Sequence, residues 1–340
     1  MDLALAIQHV TEDVVLKLAI TAREITNSEN ICLAGGVALN CTANGKLLRD
    51  KIFKNIWIQP ASGDAGGALG AALAWYYLNN EQSVRHPEQP DSMQGAYLGP
   101  AYGKESIEKL IRTYHAVANE ICDEDELIKN VADLIGNGKI VGWFQGRMEF
   151  GPRALGHRSI LADPRDPEMQ KRLNLKIKFR EGFRPFAPSV PEEFVHDYFD
   201  ISSDSPYMLL IAPVIADICR DKPTDYDTLS LWDRLYFQRS SLPAITHVDY
   251  SARIQTISKT TNLRFWKLGN AFYKQFNCPV MINTSFNVRG EPIVCTPEDA
   301  YLCFMRTEMD YLILEDFIFD KKVQPNLDPS KANLRIYLPD

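Results

Sequence analysis

Residues 146–190 read GRMEFGPRALGHRSILADPRDPEMQKRLNLKIKFREGFRPFAPSV. Between Arg147 and Arg184 this stretch holds ten Lys or Arg residues against five Asp or Glu, a surplus of +5, whereas the whole chain has a net charge of −7. Four arginines lack the immediate Glu or Lys neighbours of a solvated helix face: Arg147, Arg153, Arg158 and Arg184. Because guanidinium groups bind phosphate and carboxylate in a bidentate manner, the stretch predicts a shaped anion pocket. Its middle part, 171–178, also fits an ordinary basic surface helix.

Composition and charge exclude several classes of protein. Hydrophobic residues make up 45% of the 340-residue chain and charged residues 24%, which is typical of a soluble globular protein long enough for two domains. No apolar run reaches the length of a membrane span, and the start of the sequence lacks the pattern of a signal peptide. The negative net charge argues against nonspecific nucleic-acid binding. Seven scattered cysteines without a C-x-x-C pair predict reduced thiols in a cytoplasmic protein, without disulfides or a zinc site.

Hydrophobic periodicity predicts an α/β fold in two domains. Within residues 1–80 the pattern gives an amphipathic helix, a strand, a helix, a second strand and an Ala-rich helix. Residues 81–103 are rich in polar residues, Pro and Gly and are interpreted as a linker. Residues 104–320 form the second domain, which is α+β in character, and 321–340 a peripheral tail.

The second domain has its own set of predicted elements. Helices are expected at 104–114, 124–135, 167–178, 262–276 and 297–306. Strands are expected at 139–145, 244–249 (AITHVD), 279–286 and 310–320 (DYLILEDFIFD). The first of these strands leads directly into the Arg-rich stretch, which places that stretch at a strand end.

Two glycine-rich turns follow the predicted strands of the first domain, LAGGVALN (33–40) and PASGDAGGALG (60–70). Glycines between a strand and a helix let a phosphate or nucleoside approach the backbone, where the helix N-terminus offers free N–H groups. Simple backbone geometry explains such glycines equally well. Asp64 has no local side-chain partner, which suggests a metal or Mg-nucleotide role, with a helix N-cap as the alternative.

The motif INTSFNVRGEPIV (282–294) ends a predicted strand in Asn283, Thr284 and Ser285. Hydroxyls and amides at a strand end are well placed to donate hydrogen bonds into a cleft, although a satisfied turn is the alternative. Lys178 could act on the same cleft as a point charge on a leaving or attacking oxygen.

A second motif, ITHVDYSAR (245–253), adds His247, Asp249 and Arg253. Residues two apart on a strand share a face, so the His/Asp pair fits a structural hydrogen bond as well as a general base. His157 stands beside Arg158, and this cationic neighbour favours its neutral form.

Six motifs, in order, resemble the O-carbamoyltransferases that modify nodulation factors, cephamycins and aminoglycosides. GRMEFGPRALGHRSILADPR, IKFREGFRPFAPSV, AITHVDYSARIQT and INTSFNVRGEPIV are similar to the C-terminal domain of that family. LAGGVALNCTANGKLL and PASGDAGGALGAALA resemble the end of its catalytic domain. The resemblance extends over about residues 1 to 320.

This resemblance implies a truncated ASKHA-type, actin-like ATP and metal domain in residues 1–80 and a YrdC-like domain in residues 104–320. In the family, the YrdC-like domain activates carbamoyl phosphate with ATP to give carbamoyl-adenylate. The other domain transfers the carbamoyl group to a hydroxyl of a small molecule. ATP, Mg and iron or another divalent metal are the cofactors implied, the last only where further ligands are supplied.

Site residues carried over by motif fall into three groups. Lys178, Arg184 and Ser285 are implied to be catalytic. Binding of carbamoyl phosphate and its adenylate is implied for the same three residues together with Arg147, Arg153, Arg253 and Asn283. In the first domain Gly35, Gly36, Asn40 and Gly63 are implied to face a nucleotide, and Asp64 to bind a metal.

The sequence departs from the family pattern in its metal motif. No two histidines stand four apart, so the H-x-x-x-H metal motif is missing and Asp64 alone cannot hold a catalytic metal. We therefore expect an expressed fragment, one half of a split gene whose N-terminal half is another chain, or a member that kept only the activation chemistry. The alternatives to a carbamoyltransferase are a binding subunit that associates with a fuller partner or with itself, and a YrdC-like protein of tRNA modification.

Overall fold

The computed structural model describes residues 2–80 and 91–327, which form a mixed α/β structure with two sheets. Residues 2–80, the N-terminal unit, contain helices α1 (Asp2–Thr26), α2 (Cys41–Arg49) and α3 (Asp64–Asn79) and strands β1 (Asn30–Leu33) and β2 (Asn55–Ile58). The two strands are parallel, with Asn30 beside Asn55. This is the predicted order of helix, strand, helix, strand and helix.

Residues 91–327, the sheet unit, are built on nine strands. These are β3 (Asn119–Glu120), β4 (Val141–Phe144), β5 (Arg158–Ala162), β6 (Ala187–Pro191), β7 (Leu210–Pro213), β8 (Ser251–Ile257), β9 (Met281–Ser285), β10 (Tyr311–Leu314) and β11 (Phe317–Asp320). Their order is β3-β11-β10-β4-β5-β9-β6-β8-β7. The pairs β4/β10 and β6/β8 are parallel and the others antiparallel, so the sheet is mixed.

Helices cover this sheet where the sequence carries periodic apolar residues and capping groups. They are α4 (Lys104–Tyr114), α5 (Glu124–Gly136), α6 (Met169–Arg172), α7 (Leu231–Tyr236), α8 (Leu263–Phe276) and α9 (Pro297–Arg306). Helix α9 begins with a reciprocal capping box between Thr296 and Asp299 and has a proline in its first turn. Helix α8 begins where the Asn262 side chain accepts a hydrogen bond from the Phe265 N–H.

The core of the sheet unit lies around β4 and β5, whose residues are all buried. Trp143 is fully buried, and its indole N–H donates to the Gly156 carbonyl at 2.8 Å. Arg158 is buried as well, with its guanidinium 3.5 Å from the Phe144 ring centroid. An arginine in this setting is a core residue, because stacking and carbonyl acceptors replace its hydration.

Three predicted elements differ from the structure. Residues 244–249 form turns and not a strand. The Asp249 carboxylate accepts a hydrogen bond from the Ser251 N–H, which stabilises a turn just before β8. The segment 310–320 is two antiparallel strands, with Glu315 at a positive φ of 49° in the turn between them. The predicted helix at 167–178 is a short α6 followed by a π-helical turn, Leu173–Ile177.

The predicted linker and tail lie partly outside the described residues. Residues 81–90 and 328–340 are not described. Of the remainder, Met93 and Ala96 are buried against the core of the sheet unit, so this part of the segment is packed. The domain boundaries drawn from the sequence stay a prediction.

The two units touch through small residues. A Cβ built on Gly45 of α2 would lie 2.4 Å from the Ile211 carbonyl oxygen of β7. Beside it, the buried Asn44 amide donates to the Leu209 carbonyl at 3.1 Å. Glycine at position 45 is therefore what allows α2 to lie directly on the edge strand of the large sheet.

Helices α1 and α3 leave most of their apolar residues uncovered. Ala19 is the only residue of α1 that is buried, and α3 buries none. The exposed side chains, here called the apolar outer surface, are Leu3, Ile7, Val10, Leu18, Ile25, Leu73, Trp75 and Leu78. Within the part of the chain that the structure describes, no helix has the length and hydropathy needed to cross a membrane.

Candidate functional site

A cavity of about 830 Å³, the main cavity, lies between the two units. Helices α1 and α2 line one side of it, while the other side comes from β8, the end of β9 and the loops at 152–154 and 180–187. A second cavity of about 350 Å³, the side cavity, lies against the loop at 287–292. Arg180, Arg184 and Ser285 line both cavities, so the two spaces meet at these residues.

Three arginines of the main cavity, Arg153, Arg180 and Arg253, form no ion pair with any carboxylate of the described residues. Burial lowers the pKa of Arg153, and burial together with Arg184 lowers that of Arg180 to about 10. Burial lowers the pKa of Arg253 to about 10 as well, and both Arg153 and Arg180 add to this effect. Guanidinium groups that repel one another without a counter-ion favour an anion in the space between them.

Regular structure fixes the position of Arg253. It lies in β8 opposite Ile211 of β7, between the buried residues Ala252 and Ile254. Because side chains alternate along a strand, the burial of its neighbours directs Arg253 to the other face, toward the cavity. Its guanidinium has no hydrogen-bond partner among the described residues.

Arg153 reaches the cavity from the GPRAL turn. Gly151 in this turn has a φ of 142° and packs against the Pro60 carbonyl of the N-terminal unit. One Arg153 guanidinium nitrogen donates to the Leu39 carbonyl at 3.4 Å, while the buried Nε has no partner among the described residues. A buried donor without an acceptor is costly, so this geometry favours a ligand oxygen beside Arg153.

The loop around Arg184 is held by a shared carboxylate. Glu181 Oε2 lies 3.4 Å from Arg184 Nε, and Glu181 Oε1 lies 3.5 Å from Arg289 Nη1. Arg180 is oriented separately, since its Nε donates to Asn174 Oδ1 at 2.7 Å. The loop therefore presents both of its arginines where the two cavities meet.

Lys178 is buried beneath this junction. Its ammonium donates to the Ser285 carbonyl, to Ser285 Oγ at 3.2 Å, to the Asn287 carbonyl at 3.0 Å and to Asn287 Oδ1 at 2.9 Å. Burial, to which Arg180 adds, lowers the pKa of Lys178 to about 7. The lysine thus ties the end of β9 to the following loop and also lines the side cavity.

Asn283 and Ser285 lie at the end of β9, as the sequence predicted for this strand. The Asn283 amide donates to Gln255 Oε1 at 2.8 Å, whereas its buried Oδ1 has no partner among the described residues. Ser285 Oγ donates to Asn287 Oδ1 at 2.7 Å. Both residues line the main cavity, together with Thr284 between them.

His247 and Asp249 also line the main cavity. His247 Nδ1 lies 3.1 Å from Asp249 Oδ1, and the same oxygen accepts from Ser251 Oγ at 2.6 Å and from the Ser251 N–H at 3.0 Å. Burial raises the pKa of Asp249, but the hydrogen bonds from His247 and Ser251 outweigh it and leave this pKa well below its usual range. The pair is therefore an imidazole held by an ionised carboxylate.

Two arginines of the 146–190 stretch lie elsewhere. Arg147 is exposed, donates to the Leu98 carbonyl at 3.2 Å and lines neither of the two cavities, because the turn at Gly146 directs it away. Arg158 is part of the core described above and likewise faces neither cavity. His157 stacks on Tyr97 with ring centroids 3.9 Å apart, and burial lowers its pKa, an effect to which Arg158 adds and which Glu149 opposes.

The glycine-rich turns of the N-terminal unit do not line either cavity, although the first one borders the main cavity through hydrogen bonds from Arg153 to the Leu39 carbonyl and between the Asn40 and Gln8 side chains. Gly35, with a φ of 96°, and Gly36 border open space at the end of β1. Gly63 precedes α3, and Asn40 caps α2 by accepting from the Ala43 N–H at 3.1 Å. The capping function accounts for Asn40, while the open glycines leave room for a ligand.

Asp64 does not by itself make a metal site. It is exposed at the start of α3, and no cluster of three or more His, Cys, Asp or Glu residues suited to a metal ion exists within residues 2–80 and 91–327. A catalytic metal needs several protein ligands, so the residues present do not fit one.

Sequence reasoning missed several cavity residues. Arg180 belongs to the KFREGFR segment, and its two-residue spacing from Lys178 was a usable signal. No local signal marks the other cavity-lining residues of α1 and α2, which reach the site through packing alone: Leu5, Gln8, His9, Glu12, Cys41, Thr42 and Arg49.

Comparison with known proteins gives two matches to family models. The model described as "Carbamoyltransferase C-terminus" matches residues 132–321, and "Carbamoyltransferase N-terminus" matches residues 1–73. A Synechocystis protein, sll1178, is 57% identical over 329 residues, covering 96% of this chain and 53% of the relative. Nodulation protein NolNO of Sinorhizobium fredii is 39% identical, covering 98% of this chain and 46% of the relative. Nodulation protein NolO of Bradyrhizobium diazoefficiens is 39% identical, covering 94% of this chain and 55% of the relative. The chain spans about half the length of these relatives.

Solved structures of HypF are among those that also match. The phosphate- and nucleotide-bound form of full-length HypF gives a TM-score of 0.37 at 14% identity, covering 79% of this chain and 37% of that one. HypF of T. kodakarensis gives 0.31 at 17% identity, covering 49% and 18%. These TM-scores are too low for the two structures to inform the site.

Proposed function

The chain belongs to the carbamoyltransferase family, and from this premise we propose that it binds carbamoyl phosphate and ATP in the joined cavities and forms carbamoyl-adenylate. The product would then deliver its carbamoyl group to a hydroxyl of a small acceptor. The chain matches both the N-terminal and the C-terminal family model, which supports the transferase class. The substrates are part of the proposal.

The observation that carries the proposal is the set of unpaired arginines in the main cavity. Arg253 is repelled by both Arg153 and Arg180, and none of the three has a carboxylate ion-pair partner in the described residues. Carbamoyl phosphate brings a phosphate dianion that would neutralise this charge, which also removes the repulsion between that phosphate and ATP.

The two cavities suit the two reactants. Carbamoyl phosphate would occupy the main cavity against Arg153 and Arg253, and the phosphates of ATP the side cavity against Arg184 and Arg289. Carbamoyl phosphate and water give carbamate and phosphate. A carbamate oxygen then attacks the α-phosphorus of ATP and expels pyrophosphate, which leaves carbamoyl-adenylate. Reaction at the junction needs the two anions side by side, and Arg180 and Ser285 lie there to hold them.

Lys178 and Ser285 have supporting parts in this scheme. Because Lys178 holds both residues 285 and 287 through four hydrogen-bond contacts, it sets the position of the Ser285 hydroxyl. In its protonated form it also lies beside the junction, where negative charge develops on the reacting oxygens. Magnesium would enter with ATP as its substrate complex, whereas iron or another divalent metal would need ligands beyond Asp64.

Transfer to the acceptor and the setting of the reaction belong to the same proposal. We place the acceptor on the side of the main cavity formed by α1 and α2, with further contacts from the part of the longer relatives that this chain does not match. All seven cysteines are free thiols, which suits the reducing cytoplasm.

Pyrophosphate release from ATP in the presence and absence of carbamoyl phosphate tests the proposal. We expect release to depend on carbamoyl phosphate, and Arg253→Ala to lower kcat/KM for carbamoyl phosphate about 10- to 100-fold, since one charged hydrogen-bonding group is lost. Arg112→Ala, which removes an exposed arginine of α4, serves as the control. The assignment is contradicted if pyrophosphate release does not depend on carbamoyl phosphate, or if Arg253→Ala has the same kcat/KM for carbamoyl phosphate as the wild type.

A second candidate function is association with a fuller partner. It is favoured by the apolar outer surface, where Leu3 is 88% exposed and Leu78 82% exposed. Large apolar side chains exposed in this number mark interaction sites in soluble proteins where they form patches. Measurement of solution mass together with ATP binding separates the two candidates: a chain that assembles without binding ATP is a binding subunit.

A further inference from the structure

We propose that His247, oriented by Asp249, is the general base for the water that splits carbamoyl phosphate in the main cavity. This inference rests on the proposed function and adds to it a residue for the step that precedes use of ATP. In this scheme the arginines bind the phosphate, and His247 on the same cavity wall accepts the proton of the attacking water.

The geometry of the pair is that of an oriented base. Asp249 Oδ1 lies 3.1 Å from His247 Nδ1 and is itself fixed by two hydrogen bonds from Ser251. An ionised carboxylate on this side keeps the proton on Nδ1, so Nε2 is left as the acceptor. Among the described residues Nε2 has no hydrogen-bond partner.

The backbone holds the pair rigidly beside the anion site. The His247 N–H donates to the Ser251 carbonyl at 2.9 Å, and the Tyr250 N–H donates to the His247 carbonyl at 3.0 Å. Tyr250 adopts a positive φ of 64° to close this turn. The turn continues into β8, so Arg253 follows within the same strand and lines the same cavity.

The exposure of the pair suits attack by water. The His247 side chain is 44% exposed and that of Asp249 58%, which leaves the imidazole open to the solvent that fills the cavity. The cavity contains one other imidazole, His9 of α1, for which the described residues offer no carboxylate partner. A general base must line the site and have a fixed tautomer. Both histidines line the cavity, but of the two only His247 has a carboxylate that fixes its tautomer.

The proposed step is a hydrolysis at phosphorus. His247 Nε2 takes one proton from water while the water oxygen bonds to phosphorus, and the second proton stays on the phosphate. The bond from phosphorus to the carbamoyl oxygen breaks, and its electron pair leaves with carbamate. The proton on His247 then passes to solvent. Arg153 and Arg253 would stabilise the charge that builds on the phosphoryl oxygens.

The test compares two ways of supplying carbamate to the same enzyme. Carbamate forms in solutions of ammonium and bicarbonate, and supplied in this way it bypasses the splitting of carbamoyl phosphate. We expect His247→Gln to lower pyrophosphate release with carbamoyl phosphate about 100-fold or more, the usual size of a general-base contribution, while release with carbamate stays near wild type. The control, His196→Gln, removes an exposed histidine outside both cavities and retains both activities.

Further variants keep the result independent of folding. Asp249→Asn should lower the carbamoyl phosphate reaction alone, because the imidazole loses its fixed tautomer, and added imidazole should partly restore the reaction of His247→Gly. In water labelled with ¹⁸O the label should appear in phosphate.

The proposal is overturned if His247→Gln matches wild type with carbamoyl phosphate, if it loses the carbamate reaction equally, if His9→Gln shows the loss instead, or if the label enters carbamate. Failure of the proposed function looks different, since the wild-type chain would then release no pyrophosphate with either donor.

Discussion

The sheet unit and the N-terminal unit use similar amphipathic helices with different results. In the sheet unit α5 buries five residues and α9 buries another five, whereas α1, at 25 residues, buries only Ala19. The separate core of the N-terminal unit consists of Ala19, Leu47 and Phe53. The sheet unit therefore has the core needed to fold around the anion site, while the N-terminal unit depends on docking to it.

The largest expected effect lies in the core of the sheet unit. We expect Trp143→Ala to lower the free energy of unfolding by about 3–5 kcal/mol, because a buried indole and its hydrogen bond to the Gly156 carbonyl are lost. Urea denaturation measures this loss. Trp75→Ala is the matched control in the N-terminal unit: with 70% of the side chain exposed, the change should stay within about 0.5 kcal/mol. Equal losses in the two variants would remove the contrast between the units.

The next effect concerns the buried charge of Lys178. Its pKa is lowered from 10.5 to about 7 in the folded state, so between pH 7 and 10.5 the unfolded state binds more protons. Stability contributed by this residue therefore rises with pH across that window and is constant below it. We expect urea denaturation to show a gain on the order of 1 kcal/mol or more from pH 7 to 9.5.

Lys178→Met separates this contribution from those of other groups. The variant has no ammonium group to lose its proton, so its stability should rise less between pH 7 and 9.5 than that of the wild type. An equal rise in both proteins means that the four oxygen contacts keep Lys178 charged in the folded state.

A third prediction tests the contact between the two units. A Cβ at Gly45 would meet the Ile211 carbonyl oxygen at 2.4 Å, so Gly45→Ala should force α2 away from β7 at a cost of about 1–3 kcal/mol. We expect faster proteolysis within residues 2–80 and weaker binding of phosphate, since α2 lines the main cavity. Gly67→Ala, whose Cβ meets open space on α3, is the control. Unchanged proteolysis of Gly45→Ala would show that the units do not rely on this contact.

Much of the fold followed from periodicity and capping. The pattern of α4 and α9 was sufficient to predict both helices with their observed ends, because apolar spacing and end signals agree there. The strand expected at 244–249 was wrong. An alternating pattern cannot reveal that the Asp249 carboxylate accepts hydrogen bonds from the Ser251 N–H and hydroxyl and so stabilises a turn. The hairpin at 310–320 was missed for a related reason. Glu315 adopts a positive φ in the turn, and glutamate is not a residue type that predicts this conformation.

The mixed α/β class, the family and the cationic stretch were predictable from the amino-acid sequence, because composition, spacing and motifs are local properties. Which cations share a site depends on the three-dimensional fold. Arg153 and Arg184 join Arg180 and Arg253 in the main cavity, whereas Arg158 stacks in the core and Arg147 lies on the outer surface. The physical reason is that a guanidinium is placed by the strand or turn that carries it, and strands distant in sequence meet only when the sheet forms.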